Sequence, residues 1–178
     1  IIWGALGAAR DSLETAIEYT QTREVFGKSL SSYQLTQAKL ANMSVELNKS
    51  VLLALQLGRL KDKGELAPHQ VSVGKLNSTR VALEIARECR TLLGASGITL
   101  EYSPLRHANN LESVLTYEGT DEVHSLILGQ QLTGWARSAE SARAEPGASH
   151  GRHPVFHAYA SFCGTTTPGG PFPGPRHA

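Results

Sequence analysis

Charge of one sign, cysteine and long apolar runs are all scarce in this 178-residue chain, and each scarcity removes a class of function. Seventeen Lys and Arg against sixteen Asp and Glu leave a formal charge of +1. No basic field therefore points to a nucleic acid or an anionic membrane surface as partner. The two cysteines, Cys89 and Cys163, make neither a disulfide framework nor a metal-ligand set, which suits a reducing compartment. No apolar run approaches the ~20 residues that span a bilayer, so no membrane span is expected. Ile1-Ile2-Trp3-Gly4 carries no initiator Met, basic n-region or cleavage signal. It reads as the interior of a longer chain, with any targeting segment lying elsewhere.

What is present divides near residue 138. Apolar residues recur at helical spacing before that point and lose it afterwards. Residues 139–178 hold six of the eight prolines and end in Pro168-Gly169-Gly170-Pro171-Phe172-Pro173-Gly174-Pro175, which sustains neither helix nor ladder. This tail is expected to be disordered. His150, His153, His157 and His177 lie in it at irregular spacing without acidic or Cys partners, so no metal site is expected there.

Residues 1–138 read as an all-α domain. A first, Ala-rich helix is predicted from Trp3 to Thr22, and Arg23 to Ser32 breaks the pattern. Ser31 and Gln34 have capping-box spacing, so a long second helix is expected to start there. Leu40, Met43, Leu47, Val51 and Leu55 line one face of it, widened by Ala41, Val45 and Leu52, as an inner bundle helix requires. Lys61-Asp62-Lys63-Gly64 ends it. Pro68 falls in the first turn of the third helix, whose buried stripe is Ala82, Ile85, Cys89, Leu92 and Leu93, closed by Gly94 and Gly97. On that apolar face Cys89 is a small core residue rather than a nucleophile. A short helix over Leu105 to Leu115 and a last one over Asp121 to Leu132 complete an antiparallel, up-down four-helix-type bundle.

Between those last two helices stands Tyr117-Glu118-Gly119-Thr120. Thr120 suits an N-cap, with Asp121 and Glu122 in the first turn, where the helix dipole favours anions. Glu118 lies just outside, beside a residue with no side chain, where another molecule can approach its carboxylate. That suits a base working on a flat, hydrogen-bonded substrate. The same residues also allow a glutamate that caps a backbone or pairs with a lysine.

Three further stretches bear on the choice. Arg23-Glu24-Val25-Phe26-Gly27 offers a guanidinium for a pyrophosphate and a ring for an apolar cofactor edge, or merely a solvated loop. Leu93-Gly94-Ala95-Ser96-Gly97 offers a nearly side-chain-free backbone to a diphosphate, or merely a helix C-cap. Arg106-His107-Ala108-Asn109-Asn110-Leu111-Glu112 leads into the Tyr-Glu-Gly-Thr turn.

In this order and at these distances, the four motifs resemble the C-terminal helical domain of the acyl-CoA dehydrogenases over about residues 3–134. Leu57-Gly58-Arg59-Leu60-Lys61-Asp62 and Arg106 through Thr120 are most similar to the glutaryl-CoA dehydrogenase branch. The resemblance implies that Glu118 is the base that removes the substrate α-proton while the β-hydrogen leaves as hydride to FAD. It places Tyr117 and Gly119 against the acyl-CoA substrate and Thr120 near the flavin. It assigns Arg23, Phe26 and Gln34 to the FAD of a partner subunit, and Thr91, Leu92, Leu93, Gly94 and Ala95 to that FAD's adenine-side diphosphate. It also implies a dimer of dimers, electron-transfer flavoprotein as electron acceptor and a mitochondrial-matrix location. In the glutaryl-CoA branch it implies decarboxylation to crotonyl-CoA, in lysine and tryptophan breakdown.

Departures from the pattern accompany the matches. The family loop Gly-Gly-Asn-Gly is here Gly94-Ala95-Ser96-Gly97, which adds a methyl where backbone approach is close. The family's N-terminal and β domains, and an Arg upstream that helps hold the CoA ester, are not in this sequence. Beyond Gly134 the pattern stops. The chain alone is therefore expected not to turn over acyl-CoA. A non-catalytic helical module for oligomerisation is the alternative.

Overall fold

The computed structural model describes residues 1–134, and five α-helices carry most of them. These are α1 (Ile2–Thr22), α2 (Gln34–Asp62), α3 (Pro68–Leu92), α4 (Ser103–Thr116) and α5 (Asp121–Thr133). Two compact units divide the chain, Ile1–Leu128 and Gly129–Ala178, and only residues 129–134 of the second are described. The boundary read near 138, the tail, its four histidines and Cys163 lie outside the described residues.

Helix α3 is the hub: α1, α2 and α4 all pack on it, and α1 also meets α2 and α4. This is the all-α, four-helix-type bundle expected from the periodicity. Its core joins Ala9, Leu13 and Ala16 of α1, Met43 of α2, Ala82, Ile85, Ala86 and Cys89 of α3, and Ala108 and Leu111 of α4. Small residues let the helices close in. A Cβ at Gly74 of α3 would lie 2.3 Å from a Leu57 methyl and 2.6 Å from one of Ile2. Cys89 is fully buried, and that burial pushes its thiol up to about 12, so it is the inert core residue its position predicted. Among the described residues no helix is long and apolar enough to cross a membrane, and no cluster of His, Cys, Asp and Glu could hold a metal.

Helix boundaries follow local chemistry. α3 opens with Pro68 in its first turn, and the Gln70 side chain accepts the Ala67 N–H at 2.9 Å. It closes at Gly94, whose φ of +59° supplies the left-handed residue of a C-cap. α4 starts two residues earlier than read, at Ser103, again with a proline in the first turn.

Two expectations for the α2 region need correction. The Ser31/Gln34 capping box does not form. Tyr33 is the N-cap without a side-chain bond, and Ser31 Oγ instead pairs with Ser29 Oγ at 2.7 Å. The inner face is as read at Leu40 and Leu47, which pack on the core, but not at Ala41, Val45, Leu52 and Leu55, which are exposed, while Thr36, Met43, Ser50 and Leu57 are buried. Those four buried positions recur every seven residues, and two of them are hydroxyl residues that hydropathy does not mark.

The break between α1 and α2 is more ordered than its sequence suggests. Two-residue strands β1 (Glu24–Val25) and β2 (Lys28–Ser29) pair antiparallel around Phe26-Gly27, with φ of 51° and 78°. Two left-handed residues at a two-residue tip make a type I′ turn. Ser29 Oγ donates to Thr20 O (2.9 Å), Tyr33 Oη donates to Val25 O (2.6 Å), and Lys28 Nζ lies 4.1 Å from the Tyr33 ring centre.

Candidate active site

The bundle builds two groups of predicted site residues. The first is the turn from α4 to α5. α4 ends at Thr116, Tyr117 is extended, and Glu118 and Gly119 take φ of 51° and 93°. The glycine is required twice over, because a Cβ there would also lie 2.8 Å from His124 Nε2. The space freed by its missing side chain is thus filled by a ring of this chain. Thr120 caps α5 as read, its Oγ1 accepting the Val123 N–H at 3.4 Å and its carbonyl the His124 N–H at 3.1 Å.

Residues of α3 grip this turn. Lys75 Nζ donates to the carbonyl of Tyr117 at 2.6 Å and to that of Gly119. His124 bridges Ser72 Oγ (Nδ1, 3.0 Å) and the Glu118 carbonyl (Nε2, 3.2 Å). Arg80 holds Asp121 with two nitrogens, at 2.8 and 2.5 Å, and its hydrogen bond keeps that carboxyl below its ordinary range. The Glu122 carboxyl is also held low, by its own backbone N–H and by Thr120. Burial pulls the Lys75 ammonium below its ordinary value, against the pull of the Glu118 and Asp121 charges.

Glu118 itself is exposed, and among the described residues its carboxylate makes neither hydrogen bond nor ion pair. It therefore neither caps a backbone nor pairs with a lysine. Lys75, on which the Glu118 charge acts, is spent on the carbonyls around it.

The second group lies at the other end of α3. Arg23 and Leu92, Leu93, Gly94 and Ala95 line one cavity of about 240 Å³, together with Tyr19 and Ser96. Arg23 makes no ion pair among the described residues. Phe26 stands at the hairpin tip, 95% exposed, and Gln34 is exposed at the first residue of α2. Thr91 departs from its neighbours: it lines a separate cavity of about 530 Å³ with Arg80, Arg87 and Asp121, and its hydroxyl donates to Arg87 O. The helical rise of ~1.5 Å per residue sets Lys75 and Leu92 about 25 Å apart along α3. Thr91 lies between the two groups, since its cavity includes Arg80 and Asp121 beside the Glu118 turn.

Sequence reasoning missed Ser72, Lys75, Arg80 and His124. One signal existed: Lys75, Ala82 and Cys89 are spaced by seven residues, so a lysine occupies the buried stripe of α3. The Tyr117 and Gly119 carbonyls that justify it carry no signature in side-chain identity.

Comparison with known proteins agrees with this architecture. Residues 1–133 match the family model for the acyl-CoA dehydrogenase C-terminal domain. A glutaryl-CoA dehydrogenase of Mycobacterium smegmatis, solved in complex with FADH2, is 72% identical with a TM-score of 0.75, over 76% of this chain and 35% of that one. The human mitochondrial short-chain specific acyl-CoA dehydrogenase is 31% identical over 134 residues, 75% of this chain and 32% of its own length. The 3-(aryl)acrylate reductase of Clostridium sporogenes is 30% identical over 128 residues, 72% of this chain and 34% of its own. The chain thus spans about a third of the length of these curated relatives. By its matched residues and its helical bundle, the chain belongs to the acyl-CoA dehydrogenase family, as its C-terminal domain.

Proposed function

We propose that this chain is the base-bearing C-terminal part of an FAD-dependent acyl-CoA dehydrogenase of the glutaryl-CoA type. One observation carries the reading. Among the described residues only two non-glycine residues have positive φ, Phe26 and Glu118, and both are site residues named from the sequence alone. Left-handed backbone costs about 1–3 kcal/mol for such residues and persists where the surroundings hold it, commonly at functional sites.

The residues at the far end of α3 fit a dinucleotide. Arg23 offers a guanidinium without an ion pair among the described residues, beside a backbone loop bent by a left-handed glycine, and Phe26 offers an exposed ring. These groups suit a diphosphate and a flat apolar edge. Ala95, the departure from the family loop, lines the same cavity and narrows it by one methyl. When bound, FAD supplies the acceptor for the substrate β-hydrogen as hydride.

The chain's own part is proton transfer and orientation. The exposed Glu118 carboxylate takes the α-proton of the acyl thioester, while Gly119 and Tyr117 lie along the substrate and Thr120 near the flavin. The separation of about 25 Å along α3 supports two flavins served by one chain, one at the Glu118 turn and one of a partner subunit at Arg23 and Leu92–Ala95. A homotetramer built as a dimer of dimers and electron transfer to electron-transfer flavoprotein belong to this proposal. So does decarboxylation of glutaryl-CoA to crotonyl-CoA. The mitochondrial matrix does too, through the mitochondrial relative; a bacterial source would place the same chemistry in its cytoplasm.

A second reading, a non-catalytic helical module, is favoured by one observation: the exposed apolar face of α2 at Ala41, Val45, Leu52 and Leu55 suits an oligomer interface. The purified 178-residue chain decides between them. Retained flavin absorbance supports the first reading, and a colourless preparation with no affinity for added FAD supports the second. Acyl-CoA turnover by the chain alone is not expected under either.

A further inference from the structure

Lys75 is the one charged residue among the buried polar side chains described, at 4% exposure. An ammonium taken out of water needs acceptors for its protons, and a carbonyl bonded to a cation is among the stronger ones. Lys75 finds the carbonyls of Tyr117 and Gly119, the residues on either side of Glu118. The Glu118 carbonyl is taken by His124, itself braced on Ser72. The carbonyls of Tyr117, Glu118 and Gly119 are thereby drawn onto side chains of the bundle, while Glu118 itself stays exposed. The φ of 51° at Glu118 is a conformation that a glutamate does not favour by itself. Two acceptors clamped to one nitrogen, one residue before it and one after, impose it.

We infer that Lys75 is a positioning residue: its ammonium bridges the carbonyls of Tyr117 and Gly119 and so holds Glu118 in the left-handed conformation that presents its carboxylate. The inference rests on reading Glu118 as the base, and its tests separate the two. The Lys75 ammonium hydrogen-bonds the two carbonyls that flank Glu118, so its effect on chemistry passes through Glu118.

On the unmodified chain, the lysine side-chain nitrogen spectrum is expected to hold one ammonium with slowly exchanging protons, coupled across hydrogen bonds to the carbonyl carbons of Tyr117 and Gly119. Solvent-rate exchange at every lysine overturns the clamp, whatever any variant does. The second test is a double-mutant cycle in thermal unfolding. K75M is expected to lower the midpoint, and in an E118G background, where the clamp no longer works against a residue that disfavours positive φ, the loss grows. In an E118Q background, which removes the charge and keeps the strain, the loss stays. An equal loss in all three backgrounds makes Lys75 a mere buried filler and overturns the inference.

In the complete flavoenzyme carrying this chain, K75M is expected to slow flavin reduction about 100-fold with FAD content and acyl-CoA affinity retained, the cost of a misplaced base. K75R is expected to recover part of that rate. A normal rate in K75M beside an inactive E118Q overturns the positioning role alone. An active E118Q overturns the base assignment alone, and the spectrum and the cycle then decide the clamp.

Discussion

Phe26 and Glu118 share a backbone φ of 51° and differ in almost everything else. Phe26 sits at the tip of a hairpin held from below by Ser29 on Thr20 and Tyr33 on Val25, with its ring 95% exposed. Its conformation is local, set by a two-residue type I′ turn. Glu118 sits in a turn whose carbonyls are bonded to side chains more than forty residues earlier or six later, Lys75 and His124. Its conformation is tertiary. The difference teaches that one strained geometry can be produced by chain economy or by side-chain grip. Only the second couples the residue to the bundle.

The two glycines beside these residues give the largest contrast. G119A places a Cβ 2.8 Å from the His124 ring at a φ of +93°, and urea unfolding is expected to show a loss of about 3 kcal/mol. G27A has φ of +78° but nothing within 4 Å of its Cβ, so only the conformational cost of about 1 kcal/mol is expected. Equal losses would erase the distinction between the turns.

A smaller effect concerns acid. The Asp121 carboxyl is held low chiefly by its bond from Arg80, so its folded pKa lies below the ordinary 3.8. That contribution to stability is fully present above 3.8 and is lost as pH falls through the folded value. Both side chains are partly exposed, at 55% for Arg80 and 29% for Asp121, so R80A is expected to cost under about 1 kcal/mol at pH 7 and to flatten the acid limb of the stability curve. No such change is expected for substitutions in the hairpin.

The smallest stability effect is expected at Phe26. With its ring 95% exposed, F26A should shift unfolding by less than about 0.5 kcal/mol while weakening FAD retention in the complete flavoenzyme. Unchanged flavin affinity would remove the hairpin tip from the cofactor site.

How much of this was legible depends on whether a residue's reason is local. The helices of the bundle were readable because Pro68, Gly94 and the apolar repeat of α3 act through neighbouring residues. The hairpin was not, since its strands are two residues long and Phe26-Gly27 lacks the asparagine that usually marks a type I′ turn. The edges of the inner face of α2 were not, because Thr36 and Ser50 are buried while Val45 and Leu52 are exposed, and hydropathy cannot rank a packed hydroxyl above an exposed leucine. Glu118 is singled out by its motif. Lys75, which holds it, answers to backbone atoms 42 and 44 residues away.

The most direct test is E118Q in the complete flavoenzyme carrying this chain, followed by stopped-flow reduction of the bound flavin by glutaryl-CoA. Loss of about 10⁴-fold in reduction rate with FAD content unchanged is expected if this carboxylate takes the α-proton. A rate within tenfold of the unmodified enzyme would contradict it.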